Sequence, residues 1–223
     1  MSKILSIDFD LIMYPCIKLY NERVGGTDNP TQLWEFLDHE YDINEFICYD
    51  AKTLLELAIL IKKAVNNGAI LHLITEHQEI VDKIKDKPGF DEEEFFVYNV
   101  DFHHDIWYRP EDKNMLTMFD EYNCSNWLGY LYLQNKTKEI HWIKAANSAM
   151  FNDPDPEFDP HKIFTSVSSL NEFLEETDYQ FEEIYFCLSP QWVPYKFQHL
   201  YSLIAAMVES EVCANDEYCD ECE

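Results

Sequence analysis

The residues best suited to chemistry lie in one short run, Asp101-Phe102-His103-His104-Asp105, which follows the apolar stretch Phe95 to Val100. In extended backbone, positions i, i+2 and i+4 leave the chain on one side, so Asp101, His103 and Asp105 converge where the strand ends. Carboxylate oxygens mixed with imidazole suit a divalent ion such as Mn2+ or Zn2+. Two carboxylates this close are costly to bury without a cation. The competing reading is a solvated acidic turn. His104 points the other way and reads as a packing residue. A second pair, Asp8 and Asp10, ends the apolar run that opens the chain, again with both carboxylates on one side. A third candidate, His77, lies just past the run around Leu71 to Thr75, whereas His72, inside that run, reads as a core histidine.

These residues need elements to position them. Apolar runs of strand length are expected over 4–9, 69–74, 95–100, 139–144, 162–166 and 183–188. Helical periodicity is expected over 51–66, where Leu54, Leu57, Leu60, Ile61 and Ala64 recur near every 3.6 residues and Gly68 follows as a stop. Further helices are expected over 78–85, 113–122, 126–134 and 195–209, the last entered through Pro194. Strands alternating with helices predict an α/β fold, a three-layer sandwich around a mostly parallel sheet. In such sheets ligands bind beyond the carboxyl ends of the strands. That rule selects Asp8 and Asp10, Glu76 and His77, Asp101 to Asp105, and Ser189 with Pro190. The 223 residues suit one domain, read here as 1–210, followed by an acidic, cysteine-containing tail over 211–223 that is expected to be disordered.

The formal net charge of -27 repels phosphate backbones, which argues against nucleic acid as a partner and would draw in a cationic ligand. No run of 18 apolar residues suggests a membrane span, and the N-terminus lacks the pattern of a signal peptide. The seven cysteines are odd in number and widely spaced, as expected of free thiols in a reducing cytoplasm. Cys213, Cys219 and Cys222 lack a convincing fourth zinc ligand.

An Asp-x-His-x-Asp after a strand, an upstream strand-end His with Glu76 before it, an N-terminal Asp8-Phe9-Asp10 and a late Ser189-Pro-Gln-Trp192-Val-Pro194 together resemble the ureohydrolase superfamily of arginases and agmatinases. The likeness is greatest to the small, divergent peptide arginases, which convert arginine side chains of ribosomally made peptides to ornithine. It spans about residues 4 to 194. The resemblance implies an arginase/deacetylase-like fold, two Mn2+ ions that activate a bridging hydroxide against a guanidinium carbon, and an arginine-containing basic peptide as substrate. It implies that His77 binds one metal and His103 the other, that Asp101 and Asp8 bridge the pair, and that Asp10 completes the second. Asp105 would hold the first metal, bond the hydroxide and help protonate the leaving amine. The loop around Asn123 and Asn126 would touch substrate; the alternative reading is a helix N-cap at Ser125 or Asn126.

One departure is specific. In ordinary arginases the Asp-x-Asp comes late in the chain, whereas here the late strand ends in Cys187-Leu-Ser-Pro without carboxylates. The ligand order is permuted, and the first strand must take the late strand's place in the sheet. The loop that grips a free amino acid's carboxylate is not recognisable either. Three other readings stand beside this one. A haloacid-dehalogenase-like phosphatase also opens on a strand ending in Asp-x-Asp, with Asp8 as nucleophile and Thr75 as a second motif, but it leaves Asp101, His103 and Asp105 unexplained. A non-catalytic acidic protein with the same fold would need no metal. A one-zinc deacetylase would make Asp10 and His77 superfluous.

Overall fold

The computed structural model describes residues 2–15, 30–40, 47–108, 110–144 and 163–216. Its strands are β1 (Ser2–Asp8), β2 (Met13–Pro15), β3 (Ile47–Tyr49), β4 (Ile70–Ile74), β5 (Phe95–Asp101), β6 (Thr137–Lys144), β7 (Ser166–Ser169) and β8 (Glu183–Cys187). Its helices are α1 (Pro30–Glu40), α2 (Ala51–Asn66), α3 (Gln78–Lys85), α4 (Pro110–Asn114), α5 (Trp127–Leu133), α6 (Leu170–Glu176) and α7 (Gln198–Asp216). Six strands form one sheet in the order β4-β8-β1-β5-β6-β7, and every pairing in it is parallel. The short β2 and β3 pair antiparallel in a separate ribbon. The first strand therefore lies between the late strand β8 and β5, the strand that carries Asp101.

Alternation along the strands sends side chains to two cores. Leu5, Ile7, Val100, Ile184 and Phe186 pack with Trp34 of α1, Leu57 and Leu60 of α2, Phe173 of α6 and Ile204 of α7. Ile4, Val97, Tyr185 and Trp142 face the other way, onto Ile80 and Ile84 of α3 and Leu128 and Leu131 of α5. The result is an α/β three-layer sandwich. The helix that the apolar spacing predicts most strongly, α2, begins at Asp50, whose carboxylate accepts from Lys52 N at 2.9 Å and Thr53 Oγ1 at 2.7 Å. It is followed by Gly68 at φ 99°, a conformation glycine adopts without strain.

Several bounds differ from the sequence reading. The strand expected over 162–166 is β7, starting at Ser166, because pairing with β6 begins only at His141 and Ser166; Lys162 lies outside the described residues. The helix expected over 113–122 starts at Pro110, whose fixed φ suits a first turn, and passes into a π-helical turn, Met115–Phe119. Asp120 ends it in the left-handed region at φ 55°. The final helix continues to Asp216, so 211–216 is helical backbone rather than part of a disordered tail, and 217–223 lie outside the described residues. The sequence reading omitted α1, α6 and the β2–β3 ribbon.

Candidate metal centre

Asp8 and Asp101 end neighbouring strands. The β1–β5 register pairs Ile7 with Val100, so its next step sets Asp8 beside Asp101. On its other side Asp8 is level with Cys187, which is level with Ile74. The carboxyl ends of β4, β8, β1 and β5 thus form one row, and the side chains that leave it come from the core face shared with α3 and α5.

The chain does not stay extended beyond these aspartates. Asp8 Oδ1 accepts from Asp10 N at 3.0 Å and Asp101 Oδ1 accepts from His103 N at 2.7 Å, the same turn twice on adjacent strands. The expected i, i+2, i+4 convergence is therefore reached by curling rather than by extended backbone. Asp105 completes the curl in the left-handed region at φ 52°. Several bonds support that unfavourable backbone. Leu128 N and Gly129 N, in the first turn of α5, donate to Asp105 O at 3.1 and 3.2 Å. The backbone N–H groups of His104 and Asp105 donate to Tyr108 Oη at 3.2 and 3.1 Å.

Six predicted ligands come together. Atoms of Asp8, Asp10, Asp101 and His103 lie within 4.8 Å of one another, as do atoms of His77, Asp101 and Asp105, so Asp101 belongs to both groups. His103 Nδ1 is 3.1 Å from Asp10 Oδ2 and 3.7 Å from Asp101 Oδ1. His77 Nδ1 is 3.0 Å from Asp105 Oδ2, 3.6 Å from Asp8 Oδ2 and 3.7 Å from Asp101 Oδ2. All six side chains are buried. Outer groups hold them. Ser189 Oγ donates to Asp8 Oδ2 at 2.7 Å, Trp127 Nε1 to Asp105 Oδ2 at 2.8 Å, and Asn99 Nδ2 to Asp101 Oδ2 at 3.4 Å.

The electrostatics call for a cation. Burial pushes the Asp8 carboxyl up to about 7, with the Asp10 charge adding to it and His77 opposing. Burial also holds Asp101 well above the usual carboxylate range, reinforced by Asp105 and Asp8. Burial disfavours charge on both histidines but is outweighed, by Cys187, Asp8 and Asp105 around His77 and by Asp10 and Asp101 around His103, so both sit well above the ordinary imidazole value. Burial likewise raises Asp105, yet the bond from His77 leaves it lowered. Both Asp10 oxygens and His77 Nε2 are buried without a hydrogen bond among the described residues, although His103 stands within ion-pair distance of Asp10. A divalent ion would supply that missing partner and compete with protons for the same atoms. Buried Asp and His groups here could hold a metal ion, and the donor set fits one.

The remaining sequence expectations fall differently. His104, whose ring nitrogen accepts from Ile106 N at 3.2 Å and whose ring lies tilted against Tyr108 and edge-on to Trp142, is a packing residue, and burial lowers its pKa to about 4. A cavity of about 190 Å³ opens over the cluster, lined by Tyr108, Cys124, Ser125, Gln191 and Trp192 besides the ligands. Asn123 and Asn126, expected to touch substrate, do not line it. Asn126 is fully buried and accepts from Asn123 N at 2.7 Å, while Asn123 Oδ1 accepts from Ser125 N at 2.9 Å. They shape the loop that presents Cys124 and Ser125. The sequence reading missed Tyr108, Gln191 and the bond from Trp127. Tyr108 had a local signal, lying three residues beyond Asp105 in the same loop, and so had Gln191, inside the run from Ser189 to Pro194. Comparison with protein-family models, curated proteins and solved structures returned no match.

Proposed function

We propose that this protein is a metal-dependent hydrolase with a two-ion centre, and that it cleaves the guanidinium group of an arginine side chain carried in a peptide, giving ornithine and urea. The observation that carries the reading is the pair of ligand groups sharing Asp101. Four carboxylates and two imidazoles favour Mn2+ among common divalent ions. When bound, two such ions would supply the charge that makes water a nucleophile near neutral pH. His77, Asp101 and Asp105 would hold one, and Asp8, Asp10, Asp101 and His103 the other. Asp105, whose Oδ2 is held by Trp127 and His77, lines the cavity and would take a proton from the attacking water and return it to the leaving amine. Ser189 fixes Asp8 by donating to its outer oxygen.

The cavity supports a side chain rather than a larger ligand, since about 190 Å³ falls below the volume usual for whole small-molecule sites. The net charge of -27 suits a cationic group. The phosphatase reading gains little: Thr75, its second motif, is exposed and does not line the cavity. The test is incubation of the Mn2+-loaded protein with a capped arginine peptide. Two-ion hydrolysis removes about 42 Da, CN2H2, per converted residue. Release of phosphate from a phosphomonoester, with the arginine peptide untouched, would replace this reading by the Asp8 nucleophile.

A further inference from the structure

Beside the ligands, the cavity wall holds one side chain whose hydrogen-bonding direction is fixed from behind. Gln191 lines the cavity, and its Nε2 donates to Glu76 Oε1. A carboxylate only accepts, so the amide nitrogen must face Glu76 and the carbonyl oxygen must face away from it. Glu76 is itself held: Gln78 Nε2 donates to its other oxygen at 2.7 Å. The Gln191 carbonyl oxygen accepts no hydrogen bond among the described residues. The two anchors come from different strand ends, Glu76 after β4 and Gln191 after β8, and Ser189 N donating to Thr75 O at 3.0 Å ties those loops together. Trp192, the next residue, stands against His103 with ring centroids 4.9 Å apart, which places Gln191 at the cavity wall immediately beside the cluster.

We infer that Gln191 is the specificity residue of this site, its carbonyl oxygen accepting an N–H of a planar guanidinium or ureido group, and that Glu76 is a positioning residue that keeps the amide turned that way. This rests on the guanidinium hydrolase reading for the reaction, but the recognition it describes is a binding property. A group offering only acceptors, such as a carboxylate or phosphate, meets an oxygen here and is rejected. A side chain ending in N–H donors meets an acceptor here and is selected.

The test uses the full-length Mn2+-loaded protein and two probes, capped arginine for turnover and capped citrulline for binding. Citrulline's ureido group keeps the terminal N–H donors but carries no charge, so long-range attraction does not enter. Gln191→Leu and Glu76→Met should each weaken citrulline binding, by roughly three- to tenfold for one hydrogen bond. The double variant should bind no more weakly than Gln191→Leu, because Glu76 acts only through Gln191. With capped arginine, KM should rise more than kcat falls, and metal content should match the wild type. Variants that bind citrulline as the wild type does, or a Glu76 effect that persists in full without Gln191, would overturn the inference. So would a wild-type protein that binds neither probe. If citrulline binds and the cycle behaves as expected but capped arginine is never hydrolysed, the hydrolase reading fails and the recognition stands.

Discussion

Asp101 is the one side chain common to both ligand groups, so its replacement should be felt at both. Asp101→Asn should abolish tight Mn2+ binding and turnover together, measured by calorimetric titration and peptide mass. His104→Ala, by contrast, should keep Mn2+ binding and activity within about tenfold, with a stability loss of roughly 1–3 kcal/mol for the vacated space beside Trp142 and Tyr108. Inactive His104→Ala alongside active His103→Ala would move the site by one residue. The carboxylates also set a pH dependence in chelator. Asp8 titrates near 7 when folded, against 3.8 as the ordinary value, so the folded state holds the proton more tightly. Its ionisation penalty is present above 7 and is relieved as pH falls toward 4. The raised His77 and His103 act in the same direction. Stability in chelator should therefore rise from pH 8 to pH 5 in urea titrations, and the rise should shrink in Asp8→Asn. That Asp8, Asp10, Asp101, His103 and Asp105 would draw together was readable in the sequence, because Asp-x-Asp and Asp-x-His-x-Asp are local. The bonds from Ser189 to Asp8 and from Trp127 to Asp105 were not, since they join residues 181 and 22 positions apart.

At the scale of elements, the left-handed Asp105 depends on the start of α5. A Cβ at Gly129 would lie 2.1 Å from Ile106 O, a backbone atom that cannot yield cheaply. Gly129→Ala should cost roughly 2–4 kcal/mol in urea unfolding and weaken Mn2+ binding, because separating α5 from the loop removes the two N–H donors from Asp105 O. Wild-type stability and affinity in this variant would show that α5 does not hold the loop. The strands β1, β4, β5 and β8 were legible because each is an apolar run of strand length that stops at a polar residue. The curl after Asp101 was not, since period-two reasoning assumes that the strand continues. The helix α6 carried a sequence signal: Ser169 and Glu172 form a reciprocal capping box, a spacing visible before Leu170 to Glu176. The bonds inside the loop around Asn123 and Asn126 were not legible either. Polar residues near a site can bond one another as readily as a ligand, and these do.

The whole molecule joins a neutralisation problem to a strongly acidic surface. The sheet order brings the first strand between the last strand and β5, so Asp8 and Asp101, 93 positions apart in the sequence, end side by side. That adjacency depends on long-range packing that no local pattern encodes. Among the described residues, no helix is long and apolar enough to cross a membrane. With a net charge of -27, capture of a basic peptide should weaken with added salt, so KM for an arginine-rich peptide should rise between 50 and 300 mM salt, about the range over which screening shortens below 10 Å. A KM that does not change with salt would remove the surface from substrate capture. The most direct measurement is the metal content of the chelator-stripped protein after dialysis against Mn2+, read by elemental analysis beside circular dichroism. A two-ion centre requires about two Mn2+ per folded chain and neither in Asp101→Asn. A folded wild-type protein that takes up no divalent ion would contradict it.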